Sequence, residues 1–255
     1  MNICILTSRL PYPEIGGDSL RMNNVAKKLK KSGHRIVLMS FTKDKTSDYL
    51  EAKNIYDRVE VIKLNTLEIL FYSLFYLLKK KPIQVGYYYS PRFLKKFKEL
   101  VREEDFDLFI PHAMRMTEYV VKLNLERKTI IEQTDALSKT YALAKGGSGS
   151  AIKRIMYMIE SKVVPKYEEF MLRSFRKVVY VSPSDVKYLS DKDPWQTSAV
   201  CHTNGFQIPN DIKVNYNPKK ICLMGNMITL QNQDAALFFT KEVLPLIYNK
   251  EPEES

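Results

Sequence analysis

The chain has 255 residues, 45% of them hydrophobic and 11% aromatic, enough apolar material for one large domain or two modest ones and too much for general disorder. Nine glycines and twelve prolines exclude collagen-like and low-complexity readings. A formal charge of +11 favours anionic partners of any kind and says nothing about fold.

Taken in chain order, the pattern alternates short strands with helices. Asn2–Thr7 is a continuous apolar run, read as a buried strand, and a loop bearing proline and glycine follows it. Ser19–Lys31 reads as a helix with Leu20, Val25 and Leu29 on one side and lysines on the other, ended by Ser32-Gly33. Arg35–Phe41 is a second buried strand and Val59–Leu64 a third. Phe106–Ile110, Lys128–Ile131 and Lys177–Val181 complete the series, separated by helical segments. Such alternation indicates an α/β fold: a Rossmann-like parallel sheet with helices on both faces and ligands beyond the carboxyl ends of its strands. Ile152–Phe170 has strong helical spacing, interrupted by Pro165, which predicts a kink or break. Gly146–Ser150 just before it is a flexible loop, a mobile lid or an inserted linker.

Proline, asparagine and glycine crowd the segment Asn204–Lys219, which reads as an interdomain linker. Residues 1–203 then form a first domain, and 220–255 open a second with a strand at Lys220–Met224 and a helix at Asp234–Tyr248. A lone strand and helix cannot bury a core of their own, so the second domain is expected to be truncated. The amino terminus has too short an apolar run for a signal peptide. The longest apolar stretch, Leu67–Leu78, is broken by Glu68 and Ser73 and falls short of the ~18–20 residues that span a bilayer. Cys4, Cys201 and Cys222 cannot all pair within one chain, and His34, His112 and His202 make no zinc signature. The expected setting is a reducing cytoplasm, with no metal.

Several of these pieces together resemble a known family. The first strand, then Pro11-Tyr12-Pro13-Glu14-Ile15-Gly16-Gly17, then Arg21-Met22, then Ser32-Gly33-His34, resembles the start of retaining glycosyltransferases of the GT-B fold. More narrowly, the chain is similar to family-four enzymes that build bacterial capsule or exopolysaccharide. Asp107–His112 resembles their fourth strand, which ends in an active-site histidine; Arg115, Met116 and Tyr119 fit the helix after it, and Thr134–Ser138 the next loop. Asn204-Gly205 resembles their interdomain crossing, and Met224–Met227 with Asn232, Asp234-Ala235 and Glu242–Pro245 the opening of their second domain. Family members continue for another half-length that holds the donor nucleotide and sugar, and many carry an arginine where this chain has Asn226.

The resemblance implies transfer of a sugar, with retention, from a nucleotide-sugar donor to a growing, lipid-linked surface glycan at the inner face of the cell membrane. The nucleotide sugar is the substrate, and no further cofactor is implied. It implies Gly16, Gly17, Gly225 and Asn226 near the diphosphate, His112 near the transferred sugar, and Arg21, Arg115, Asp135 and Ser138 around the acceptor. The chain as it stands is expected to turn over weakly. On the residues alone, Gly16-Gly17 is either a close approach of helix-start amides to an anion or a tight turn with Asp18 or Ser19 as N-cap. His112 is either a ligand-facing or a structural histidine. Glu132, Asp135 and Ser138 either serve acid–base chemistry or make a turn. A non-catalytic module that docks on membrane or glycan is the alternative from another class.

Leu67, Leu70, Phe71, Leu74, Phe75, Leu77 and Leu78 make a helix apolar nearly all round, and the segment behind it holds Lys79, Lys80, Lys81, Arg92, Lys95, Lys96 and Lys98 with no acid. Three readings fit: a buried core helix, an interfacial helix with a basic flank on an anionic membrane, or a nucleic-acid surface. No nucleic-acid motif accompanies it, so nucleic acid is not an expected partner.

Overall fold

The computed structural model describes residues 1–14, 16–42, 52–143, 151–192, 198–205, 217, 220–225, 227 and 230–250. The chain divides into two compact units, Met1–Phe206 and Gln207–Ser255. The first unit carries seven strands among its described residues: β1 (Asn2–Thr7), β2 (Arg35–Thr42), β3 (Arg58–Lys63), β4 (Leu108–Pro111), β5 (Ile130–Thr134), β6 (Lys177–Tyr180) and β7 (Ala199–Cys201). All pairings are parallel, in the orders β3-β2-β1-β4 and β5-β6-β7. Bridges Phe109–Thr129 and His112–Glu132 join β4 to β5, so the spatial order runs 3-2-1-4-5-6-7. The order reverses between β1 and β4, and doubly wound sheets bind ligands at that switch point.

Side-chain alternation explains the two covered faces. Ile3, Ile5, Ile36 and Leu38 point into one apolar cluster; Cys4, Leu6, Val37 and Met39 point into another. Helix α1 (Gly17–Lys31) covers the first face with Met22 and Ala26. Helix α4 (Pro91–Glu103) covers the second with Phe93, Phe97 and Leu100. Between β3 and α4 lie α2 (Thr66–Leu78) and α3 (Ile83–Tyr87). They pack so closely that a Cβ on Gly86 would stand 2.2 Å from the carbonyl oxygen of Tyr72. Among the described residues this unit also carries the α-helices α5 (Thr117–Val121), α6 (Leu137–Leu143), α7 (Ala151–Ser174) and α8 (Pro183–Ser190).

Several expectations are corrected. Leu20 is exposed and Val25 and Leu29 only half-buried, while α1 buries Ser19, Arg21, Met22, Asn23 and Ala26. Polar groups sit on that buried face because partners meet them: Asn23 donates to the Pro11 carbonyl at 2.7 Å and accepts from the Tyr56 hydroxyl at 2.8 Å. Helix α7 runs through Pro165 without a break, and its early apolar residues Ile155 and Met156 are exposed; burial begins at Glu160 and Val164. Strand β7 has no counterpart among the expected elements. Residues 220–224 form no strand: Ile221, Leu223 and Met224 are exposed, with no neighbouring strand to pair them among the described residues. Among its described residues the second unit carries α9 (Leu230–Phe238), which leads through a wider π-type turn (Phe239–Val243) into α10 (Leu244–Lys250). Loop 146–150, Asn226 and most of Asn204–Lys219 lie outside the described residues.

Candidate functional site

The first βα loop prepares the switch point. It leaves β1 at Thr7 and is pinned by Asn23 and by Lys27, whose ammonium holds Glu14 at 2.5 Å. The cap of α1 falls on Gly16, at φ +92°, a conformation natural to glycine, and no side chain caps the helix. The N-cap reading of Asp18 or Ser19 is thereby overturned: both lie inside the first turn. A Cβ on Gly16 or Gly17 would meet no atom within 4 Å, so open space lies over the helix start.

Asp18 projects from that turn and ties the site together. Its carboxylate lies 3.8 Å from Nε2 of His112 and 3.1 Å from the Arg9 guanidinium. The His112 ring, followed by the charges of Arg9 and Arg115, holds the Asp18 carboxyl down at about 2 against the opposing effect of partial burial. His112 follows β4 directly, is buried, and continues the ladder by donating its amide to Leu6 at 2.8 Å. Its Nδ1 is buried and has no hydrogen-bond partner. Arg115 is half-buried over the Tyr88 ring, 5.6 Å from its centroid, with a buried Nε that no acceptor meets. Asp135 is pushed upward by lost hydration first, then by the charges of Asp185 and Asp18. Asp18 thus stands in the turn after the helix-start glycines and against His112, and the charges of Arg115 and Asp135 act on the same edge of the sheet.

Backbone strain marks the same edge. Ala113 has φ +62° and Thr134 φ +73°, and a β-branched residue rarely adopts that region. Ala113 follows His112, and Thr134 ends β5 beside a register shift. Strain of this kind, about 1–3 kcal/mol per residue, persists where surrounding structure over-determines it, commonly at binding sites.

Other expected site residues have surroundings of their own. Arg21, expected beside the acceptor, commits its guanidinium inside the protein, with Nε donating to Glu132 at 2.6 Å, Nη1 to Asn204 at 2.8 Å and Nη2 to the His202 carbonyl at 2.9 Å. Glu132 is likewise buried and consumed by this pair, so it offers no paired carboxylate for acid–base work. Ser138 lines a separate cavity of about 280 Å³ with Glu168, Leu172 and Leu189. Gly225 is exposed in the second unit, against the Asn232 side chain. Of the basic residues, Lys81 binds buried Glu118 at 2.6 Å, Arg92 pairs with Glu68 at 3.2 Å and Lys96 with Glu60 at 3.5 Å; Lys79, Lys80 and Lys95 are exposed. Asp18 as the hub of the site went unread in the sequence; its one signal is an acid in the first turn of a helix that starts at glycine.

No family model matches this sequence. No curated protein matches it either. Among solved structures, UGT2 of Phytolacca americana, complexed with UDP-2-fluoro-glucose and pterostilbene, matches with a TM-score of 0.51 at 12% identity, over 82% of this chain and 55% of that one. Sucrose-phosphate synthase of Thermosynechococcus elongatus matches at 0.48 and 13% identity, over 81% and 49%. UGT71G1 of Medicago truncatula, complexed with UDP-glucose, matches at 0.46 and 10% identity, over 94% and 57%. The first likeness is one of fold: the parallel sheet and flanking helices are those of a Rossmann-like GT-B domain. The chain spans about half the length of the structures it matches.

Proposed function

We propose that this chain is the acceptor-side part of a glycosyltransferase that moves a sugar from a nucleotide-sugar donor to a growing glycan. The observation that carries the reading is the pairing of Asp18, at the switch point beside an open glycine helix start, with His112, whose buried Nδ1 has no partner, under the charge of Arg115, whose buried Nε meets no acceptor. A diphosphate is the ligand such a place suits: main-chain amides at a helix start and a guanidinium both answer its charge. His112 would donate or accept one hydrogen bond at the transferred sugar, and Asp18 would orient its ring. The leaving diphosphate would be stabilised by the helix start and Arg115, without a further cofactor.

The family resemblance supplies the finer terms: retention at the anomeric carbon, and a lipid-linked capsule or exopolysaccharide acceptor at the cytoplasmic membrane face. The match in fold to one protein complexed with UDP-2-fluoro-glucose supports the donor class. No described helix is long and apolar enough to cross a membrane. The test is donor turnover by the longest native form of the protein. Radiolabelled UDP- and GDP-sugars are incubated with membrane lipid extract, and the product's anomeric configuration is read by NMR. Transfer with retention, lost in His112→Ala, is expected; transfer unaffected by that change would refute the assignment. A non-catalytic docking module remains the second reading, favoured by the exposed apolar helix described next; it predicts membrane or glycan binding with no turnover.

A further inference from the structure

Helix α2 is anchored on one side only. Its buried Tyr76 donates to Glu118 at 3.1 Å, and Glu118 also accepts Lys81 at 2.6 Å. Tyr72 packs edge-on against Tyr89, with ring centroids 4.8 Å apart. Gly86 lets α3 press against its backbone. On the opposite side Leu67, Leu70, Phe71, Leu74, Phe75 and Leu78 follow helical spacing and are 36–79% exposed. A soluble surface rarely turns such a continuous stripe outward without a partner.

The charges around the stripe select that partner. From Lys63 to Lys98 the only acid is Glu68, and Arg92 neutralises it at 3.2 Å. Lys79 and Lys80 stand exposed at the carboxyl end, Lys79 over the Phe75 ring at 4.6 Å. Lys80 has no acidic partner among the described residues. A protein partner would need an acidic apolar groove; an anionic bilayer offers acyl chains and phosphates at the required depth together. Thirteen residues make roughly 20 Å of helix, too short to span a bilayer and suited to lying in its surface. The helix also begins three residues after β3 ends, at the carboxyl edge of the sheet where His112 lies.

We propose that α2 is a membrane-docking helix: its leucine and phenylalanine stripe enters the acyl region of an anionic bilayer while Lys79 and Lys80 meet lipid phosphates. The contact places the carboxyl edge of the sheet close to the lipid surface. Only that consequence, delivery of a lipid-linked acceptor, rests on the glycosyl-transfer reading.

The experiment is sedimentation of the 255-residue chain, without donor, with vesicles of phosphatidylcholine alone or with 30% phosphatidylglycerol. Binding to the anionic vesicles is expected, with a fraction that survives 1 M salt. Leu70→Glu with Phe71→Glu should lower partitioning at least tenfold; Lys79→Ala with Lys80→Ala should lower it roughly fivefold per charge at low salt. All four residues are exposed, so thermal unfolding should be unchanged and serves as the fold control. Absence of binding, or binding indifferent to the double glutamate variant, overturns the proposal. So does a dimer, seen by sedimentation velocity without vesicles, that the same variant makes monomeric, because a second copy would then cover the stripe. Donor affinity is measured without vesicles, so either reading can fail alone.

Discussion

Replacing Arg21 with methionine removes the cation of a buried pair and leaves Glu132 behind. Both side chains are nearly inaccessible, at 5% and 7%. The Asn204 and His202 acceptors are exposed, so water can replace their lost donor. The Glu132 carboxylate has no such substitute, and an uncompensated buried charge costs about 3–5 kcal/mol. For a unit of this size that corresponds to a fall in Tm of roughly 6–20 °C. The assay is urea and thermal unfolding of Arg21→Met, Glu132→Leu and the double variant. Removing both charges should restore most of the loss, so that the double variant is more stable than Arg21→Met alone. A loss under about 1 kcal/mol in Arg21→Met, or a double variant no more stable than that single one, would refute the reasoning.

Other perturbations separate strain, packing and charge. Gly17→Ala meets neither a clash nor a left-handed backbone, so stability should change by under about 0.5 kcal/mol while nucleotide-sugar affinity falls about tenfold by calorimetry. Gly16→Ala, at φ +92°, should additionally cost about 1–2 kcal/mol in a urea melt. Gly86→Ala places a Cβ 2.2 Å from one backbone atom and 2.8 Å from two others, and should cost about 1–3 kcal/mol in thermal unfolding. The Asp18 carboxyl is lowered to about 2, so its share of stability is full above the ordinary aspartate value near 4 and is lost as pH falls toward 2. Asp18→Asn should therefore flatten the difference in urea midpoint between pH 5 and pH 2.5; an unchanged acid limb would contradict the assignment.

Strands were legible where the chain is apolar on both faces. Asn2–Thr7 and Arg35–Thr42 declare themselves because a strand covered on both sides needs continuous apolar residues. Strand β7 is three residues long and only partly buried, so it carries no such signal. Burial within helices was less legible. Arg21 and Asn23 sit on the inner face of α1 because distant partners, Glu132 and Tyr56, complete them, and sequence spacing does not display those partners. In α2 the pattern showed an apolar helix but not which side would stay uncovered; that followed from Gly86, Tyr76 and Glu118 fixing its inner face. The site was readable as separate pieces, a glycine loop and a histidine at a strand end. Their meeting at Asp18 depends on the parallel order of β1 and β4, which only the folded sheet supplies.

The most direct test of the central claim is an equilibrium titration of the native-length protein with UDP-sugars and GDP-sugars, wild type against Gly17→Ala and His112→Ala. Saturable binding of one donor, displaced by the free nucleoside diphosphate and weakened about tenfold or more by each change, is the predicted result. Donor binding equal in all three proteins, or no binding of any nucleotide sugar, would contradict it.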